Sequence, residues 1–113
     1  MGPTNWSNSP RRDGYTGWRW NRRVRFEWNA GKAAANLRKH GVSFDEASTV
    51  FFDSLSATGD DPDHSLAERR FVTFGMSSSG RLLVVAHVQD DDVIRIITAR
   101  HATRAEKKIY EEG

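Results

Sequence analysis

The fold is decided by residues 81–100, RLLVVAHVQDDDVIRIITAR, in which two runs rich in Val and Ile flank three aspartates. Branched aliphatic residues favour strands and an aspartate cluster favours a turn, so this stretch predicts a β-hairpin. Residues 68–76 have a similar composition and are separated from the hairpin by the turn-like run Ser77–Gly80. Three strands, over residues 68–76, 82–89 and 93–100, are therefore predicted to form an antiparallel meander.

Ahead of the meander, the sequence predicts one strand and one helix. Val24–Trp28 alternates apolar and charged residues, which is typical of a strand with one buried face. Asn29 and Gly41 then bound a helix over Ala30–His40, because Asn caps helix N-termini and Gly accommodates the left-handed residue that ends a helix. The loop over residues 54–67 that leads to the meander is compatible with a short strand near its start.

Capping boxes mark two further helices. Ser43 and Glu46 begin a second helix that runs to about Asp53, and the same pattern at Thr103 and Glu106 begins a terminal helix over residues 104–112. The predicted fold class is α+β. A small antiparallel sheet, made of the N-terminal strand and the three-strand meander, carries two N-terminal helices and one C-terminal helix.

Composition separates an N-terminal extension from a folded domain over residues 24–113. Residues 1–23 are rich in Gly, Asn, Ser and Arg, contain scattered aromatics and show no periodicity, which predicts a flexible basic and aromatic extension. The net charge of +2 divides into +5 over residues 1–25 and −3 over the remainder. The folded part would therefore meet RNA through a local patch. The extension is either an arm that stacks on nucleic-acid bases or a terminus without a role of its own.

Several classes of protein are excluded by composition. The chain has no cysteine, so it forms neither disulfides nor thiolate zinc sites. No apolar run approaches the roughly 18 residues that span a bilayer, and the first residues lack a signal-peptide pattern. A soluble, cytoplasmic protein is expected, with one modest core for its 113 residues.

Counting residues across the two predicted turns brings three side chains into a row. A three-residue turn at the aspartates sets His87 opposite Arg95, and a four-residue turn at the serines sets Arg70 opposite His87. Since side chains alternate between the faces of a sheet, all three share one face, in a row roughly 10 Å long for strands about 4.8 Å apart. Glu68 extends this row by one step.

The row contains the groups that RNA cleavage requires. Attack of the 2′-hydroxyl on the adjacent phosphorus needs a proton acceptor, cations at the phosphate and a proton donor for the leaving oxygen. His87 can exchange a proton near neutral pH, and Glu68 can orient it or act as the base. Arg70 and Arg95 can bind the phosphate in bidentate fashion. The alternative is that Arg70, His87 and Arg95 are solvated positions of an exposed strand face, paired with Glu68 and the Asp90–Asp92 turn.

Three other groups of polar residues are candidates for binding. The last strand and helix carry a basic group that suits either backbone phosphates or the helix dipole: Arg100, His101, Arg104, Lys107 and Lys108. The first helix carries a group that fits a solvated face or a phosphate contact: Lys32, Asn36, Lys39 and His40. An acidic group, Asp60, Asp61, Asp63 and His64, lacks the glycine and terminal glutamate of a calcium loop. Neither a metal nor a cofactor is predicted.

The order of several segments gives the chain a family resemblance. FEWN at residues 26–29 and KAAANLRKHGVSF at 32–44 are followed by matching segments at 46–51, 61–65, 70–75, 81–85, 94–100 and 102–111. In this order they resemble the BrnT family, the toxin half of a bacterial toxin and antitoxin pair. The resemblance covers about residues 24–113. Asn29, where Asp is commoner, and the three-aspartate turn depart mildly from the pattern.

The resemblance implies a RelE-like fold, RNA as the substrate, inhibition of translation and neutralisation by a BrnA-type antitoxin. DNA would be contacted only through the antitoxin, toxin and antitoxin would form a hetero-oligomer, and no membrane would be involved. The positions that match the pattern are Lys32, Asn36, Lys39, His40, Glu68, Arg70, Arg95, Arg100 and Tyr110.

Combined with the strand counting, the resemblance yields a candidate site. Catalysis is expected at Arg70, His87, Arg95 and Glu68, and substrate binding at Lys32, Lys39, Arg100, His101 and Tyr110. Two other functions stay open: a non-catalytic RNA- or protein-binding module acting in operon regulation, and an inactive toxin kept for operon control.

Overall fold

The computed structural model describes residues 24–61 and 69–112. The elements, in chain order, are β1 Arg25–Glu27, α1 Ala30–His40, α2 Phe44–Thr49, a 3-10 helix Val50–Phe52, β2 Ala57–Asp60, β3 Phe71–Met76, β4 Leu82–Asp90, β5 Val93–His101 and α3 Arg104–Glu112. The predicted α+β class is confirmed. The predicted extension over residues 1–23, together with Asp63, His64 and Glu68, lies outside the described residues.

The sheet differs from the predicted one in two respects. Its strand order is β1-β5-β4-β3-β2, so β2 adds a fifth strand within the segment predicted mainly as a loop. β1 pairs with β5 in parallel, whereas an antiparallel sheet was predicted. Alternation of apolar and polar residues predicts a strand without its direction, and no hairpin joins these two strands to fix it.

Backbone contacts divide the chain into two compact units. Within the described residues, the smaller unit comprises residues 24–27 and 89–95, which contain β1 and the turn between β4 and β5. Its ladder pairs Arg25 with Val93, Phe26 with Ile94 and Glu27 with Arg95. The larger unit comprises residues 28–88 and 96–112 and contains the helices, β2 and β3.

The helix boundaries follow the predicted caps. The Asn29 side chain accepts a hydrogen bond from the Lys32 N–H at 2.9 Å, and Gly41 ends α1 with φ of 69°. The Ser43 hydroxyl likewise accepts from the Glu46 N–H at 3.0 Å. The reciprocal half of this capping box does not form, because the Glu46 carboxylate binds Arg81 instead.

The turn between β3 and β4 overturns the predicted register. The Ser77 N–H donates to the Arg81 carbonyl at 2.8 Å, which leaves a three-residue loop instead of the predicted four. Gly80 closes this loop with φ of 82°, a conformation that glycine adopts without strain. Phe71, and not Arg70, therefore stands opposite His87. A shift of one residue moves a side chain to the other face of the sheet, so the predicted row does not form.

The core of the larger unit lies where α2 and the 3-10 helix cover one face of the sheet. Its fully buried apolar side chains include Phe44, Val50, Leu83, Val85 and Ile96. Gly75 on β3 allows the closest approach, because a Cβ atom there would lie 2.7 Å from Val50 Cγ1 and 3.1 Å from the Val50 carbonyl oxygen. The absence of a side chain at this position thus fixes how near the 3-10 helix lies to β3.

Gly75→Ala is accordingly expected to lower the free energy of unfolding by about 1–3 kcal/mol, the usual cost of overpacking a core. Gly59→Ala in β2 is the matched control, since a Cβ atom there has no neighbour within 4 Å. Urea denaturation at neutral pH measures both. Equal stability of the two variants would contradict the described packing.

Candidate functional site

His87 lies on the helix-covered face of the sheet. Its side chain is 0% exposed, its ring packs edge-on against Phe51 with centroids 4.8 Å apart, and it stacks on Phe71 at 5.9 Å. Its Nε2 lies 2.7 Å from the hydroxyl of Thr73, which lies 2.7 Å from that of Thr58. The imidazole therefore links the interior to the edge strand β2, and a substrate cannot reach it.

The surroundings of His87 also disfavour the protonated, charged form of its imidazole. Burial lowers the pKa of His87 from 6.5 to about 4, so the imidazole is neutral at pH 7. Its Nδ1 is buried without a hydrogen-bond partner among the described residues. Such a group stabilises the fold in its neutral form and does not exchange protons with solvent during catalysis. The predicted catalytic role of His87 thus lacks a geometric basis.

Arg70 lies on the opposite face. The Arg70 carbonyl accepts a hydrogen bond from the Asp61 N–H at 3.0 Å, which continues the β2–β3 ladder by one step. Since Val72 and Phe74 line a groove on this face, alternation along β3 puts Arg70 on the same side of the sheet. The side chain is half-buried, and its Nε has no hydrogen-bond partner in the described part of the chain.

The groove is a cavity of about 580 Å³ over the sheet. Its floor is apolar, since it is formed by Val72, Phe74, Val84 and Ala86. Its walls are formed by residues 57–61 on one side and by Thr98, Arg100, Glu106 and Ile109 on the other. A floor of this kind can accommodate the flat faces of nucleobases, with polar groups at the rim.

Arg100 lines the groove as part of an ion pair. Its guanidinium donates to Glu106 in bidentate fashion, at 2.8 and 2.9 Å. Glu106 also closes the predicted capping box of α3, because it accepts from the Thr103 N–H at 2.8 Å. Arg100, opposed by desolvation, lowers the pKa of Glu106 to about 2, and the pKa of Arg100 is raised in turn by the same pair. Glu106 therefore offsets the charge of Arg100 until a ligand takes the place of Glu106.

Tyr110 is occupied by a structural contact. Its hydroxyl donates to Asp53 at 2.5 Å, and Asp53 also accepts from the Met76 N–H at 2.8 Å. The bond to Asp53 raises the pKa of Tyr110. For Asp53, desolvation raises the pKa, but the hydrogen bonds that it accepts outweigh this effect and lower it overall. Tyr110 thus fastens α3 to the sheet.

The other predicted site residues do not join the groove. Arg95 belongs to the smaller unit, where it is half-buried and pairs in register with Glu27. Lys32 and Lys39 are exposed on α1, as a solvated helix face requires. His101 is exposed at the end of β5, with its Nε2 3.3 Å from an Arg81 nitrogen. Glu68 lies outside the described residues.

Asn36 differs from its predicted place on the polar side of the first helix. It is 6% exposed, and its amide donates to the carbonyls of Val42 at 3.0 Å and Ala99 at 2.8 Å. Its carbonyl accepts from the Ala99 N–H at 3.1 Å, so a helix side chain extends the hydrogen bonding of β5. Asn has a low helix propensity, so its position among alanines in the middle of α1 was the one sequence signal of a tertiary role.

Sequence reasoning also missed a polar cluster around Glu46. Arg81 binds this carboxylate through Nε at 2.9 Å and through a second nitrogen, and the hydroxyls of Ser77 and Ser79 each donate to it at 2.6 Å. Arg81, opposed by desolvation and aided by the serines, lowers the pKa of Glu46 to about 2. The pairing spans 35 residues, and the capping-box pattern had already assigned the glutamate a local role.

Residues 24–61 and 69–112 contain neither a metal-binding cluster nor a membrane-spanning helix. Within these ranges, the side chains of His, Asp and Glu form no group of three or more that could hold a metal ion. The helices in the same ranges are all too short or too polar to cross a membrane.

Comparison with known proteins identifies the class. A family model described as "Ribonuclease toxin, BrnT, of type II toxin-antitoxin system" matches residues 28–106. The chain therefore belongs to the BrnT family of ribonuclease toxins, as its resemblance predicted, and a type II system implies a protein antitoxin as partner.

The fold agrees with this family. The structure is similar to the 1.1 Å crystal structure of the Brucella abortus ribonuclease toxin BrnT, with a TM-score of 0.53 and 18% sequence identity. The match covers 72% of this chain and 99% of that one. No curated protein is significantly similar to this chain.

Proposed function

We propose that this toxin is a metal-independent endoribonuclease that binds RNA in the groove and holds the scissile phosphate with Arg70. It acts in the cytoplasm, where its cleavage of RNA inhibits translation, and a BrnA-type antitoxin neutralises it. Residues 24–113 form the toxin domain and residues 1–23 an extension. The family match over residues 28–106 supports this division.

The observation that carries the proposal is the state of Arg70. Its half-buried side chain has an Nε without a hydrogen-bond partner in the described part of the chain, and its carbonyl accepts from the N–H of Asp61, which lines the groove. A buried donor without a partner is costly to keep, and a phosphate oxygen would satisfy it. The adjacent arginine is a useful contrast, since Arg69 is exposed and already bonded to Asp60 at 2.9 Å.

The remaining residues of the proposed machinery are assigned from the family pattern and from the chemistry of the reaction. Arg95 and Glu68 stay proposed catalytic residues because they match the family pattern and carry the charge and the proton acceptor that the reaction needs. Arg100 is proposed to bind RNA once Glu106 is displaced. Lys32, Lys39, His101 and Tyr110 are proposed contacts to the RNA backbone.

Metal independence has a chemical rationale. Attack by the 2′-hydroxyl needs neither a metal-bound water nor a second nucleophile, and a guanidinium can offset the charge that develops on the phosphate oxygens. Purified toxin is therefore expected to cut a defined transcript in the presence of EDTA at substoichiometric enzyme, and to leave 2′,3′-cyclic phosphate ends.

Three results of this experiment would contradict the proposal. Fragments that appear only after addition of Mg²⁺ would contradict metal independence. A shift of intact RNA without fragments, at any ratio of protein to RNA, would indicate a binding module instead of an enzyme. Equal cutting of a transcript with 2′-O-methyl riboses would exclude attack by the 2′-hydroxyl.

A further inference from the structure

A second, smaller cleft lies where β5 passes into α3. Its volume is about 300 Å³, and its lining combines apolar and basic residues: Met76, Gly80, Arg81, Leu82, His101, Ala102 and Lys107. It shares no lining residue with the groove. Three of its side chains, those of Arg81, His101 and Lys107, carry nitrogen donors.

Arg81 is held in a fixed orientation. Glu46 binds its Nε at 2.9 Å and one terminal nitrogen, which also donates to the Gly41 carbonyl at 3.2 Å. The other terminal nitrogen is directed to His101, 3.3 Å from Nε2. Because Ser77 and Ser79 fix the Glu46 carboxylate as well, the guanidinium is preorganised before any ligand arrives.

His101 and Lys107 complete the donor set. A guanidinium N–H can only donate, so in this contact Nε2 of His101 is the acceptor and Nδ1 is the ring nitrogen left to donate to a ligand. Both residues are exposed, and the Lys107 ammonium makes no hydrogen bond or ion pair within the described part of the chain. With Glu46 offsetting one of the two fixed cations, the cluster keeps a net positive charge.

We propose that this cleft binds one phosphate group of the RNA substrate, apart from the site of cleavage. The inference rests on the proposed function, because it takes RNA to be the ligand. Three nitrogen donors around a small cleft suit the oxygens of a phosphodiester, and the side chains of Met76 and Leu82 offer apolar surface for the attached ribose. The cleft would thus position the RNA strand on the protein without taking part in its cleavage.

The test measures binding separately from cleavage. A fluorescent single-stranded RNA with 2′-O-methyl riboses cannot undergo attack by its own 2′-oxygen, so its anisotropy reports binding by the full chain. Lys107→Gln is expected to raise the Kd about fivefold to tenfold at low salt. It should also reduce the magnitude of the slope of log K against log salt by about 0.7, the value for one lost phosphate contact on a single strand. His101→Ala is expected to raise the Kd about threefold, since it removes a single hydrogen-bond donor.

Lys108→Gln is the matched control, because Lys108 is exposed on the same helix but does not line the cleft. Its Kd for RNA is expected to change less than about twofold.

Equal effects of the Lys107 and Lys108 variants on the Kd would overturn the inference. Polyglutamate that competes with the labelled RNA as well as unlabelled RNA does would also overturn it, because the ligand would then be an acidic protein. If the wild type binds this RNA through Lys107 but never cuts a natural transcript, the proposed function fails and the cleft stands. If it cuts and the Lys107 variant binds normally, only the cleft fails.

Discussion

Replacing Arg70 with alanine is expected to lower the rate of RNA cleavage by about 100- to 1,000-fold, the usual cost of removing one preorganised donor from a transition state. The groove keeps its apolar floor in this variant, so RNA binding should weaken far less than the cleavage rate falls. Single-turnover cleavage with saturating toxin in EDTA separates the two effects, because it measures the chemical step alone.

Two variants control for charge and position. Arg69→Ala removes an adjacent arginine that is exposed and bonded to Asp60, and it should change the rate by less than about threefold. Arg70→Lys keeps the charge but loses the planar fork of donors, and an intermediate loss of about tenfold is expected. Equal rates for Arg70→Ala and the wild type, with both folded, would remove Arg70 from the site.

Acidification is expected to destabilise the toxin through His87, by about 2–3 kcal/mol between pH 7 and pH 4.5. The pKa of this imidazole is about 4 in the folded chain and 6.5 as its ordinary value. Between these two values the unfolded chain binds a proton that the folded chain does not, so the free energy of unfolding rises with pH. Its contribution is complete above about pH 6.5 and falls as the pH drops toward 4.

Urea denaturation from pH 7.5 to 4.5 measures this effect. His87→Gln retains a side chain that can hydrogen-bond to Thr73 but does not titrate, and it should flatten the pH dependence. The pKa values of Glu46 and Glu106 are about 2, so these carboxylates withdraw their stabilisation only below about pH 4.5. An unchanged slope in His87→Gln would contradict the burial of His87.

The parts of this fold that the sequence predicts correctly depend on neighbours along the chain. Asn29 and Gly41 bound α1, and Thr103 with Glu106 begins α3, because a cap is formed by residues three or four positions apart. The hairpin strands follow from Val- and Ile-rich runs for the same reason. Pairing direction in β1 depends on a partner about 68 residues away, and local pattern does not specify it.

The candidate site failed at the turns of the meander. Between β4 and β5 the loop has two residues, Asp91 and Asp92, where three were predicted, and Asp91 adopts a φ of 52°. The left-handed Gly80 shortens the β3–β4 loop by one residue, and this moves Arg70 to the face opposite His87. Nothing in the composition of Ser77–Gly80 distinguishes a three-residue from a four-residue loop, since Ser and Gly suit both. The proposed role of Arg70 in binding phosphate therefore depends on its unpartnered Nε and on the groove, and no longer on a row with His87.

Long-range polar pairs were the other omission. Asn36 with Ala99, and Glu46 with Arg81, join residues 63 and 35 positions apart, so periodicity within a single element cannot indicate them. In both cases the sequence interpretation assigned a polar side chain to solvent or to its own helix. The structure uses these side chains to connect helix to strand.

The most direct measurement is the single-turnover cleavage rate of His87→Gln at pH 7.5 in EDTA, with folding checked by circular dichroism. We assign a structural role to the helix-covered face of the sheet, which carries His87, and RNA binding to the face that carries the groove. This division of roles predicts a rate within about threefold of the wild type, because His87 is a buried structural group. A folded His87→Gln variant that has lost its activity by about 100-fold or more would contradict this division and return the imidazole to the catalytic centre.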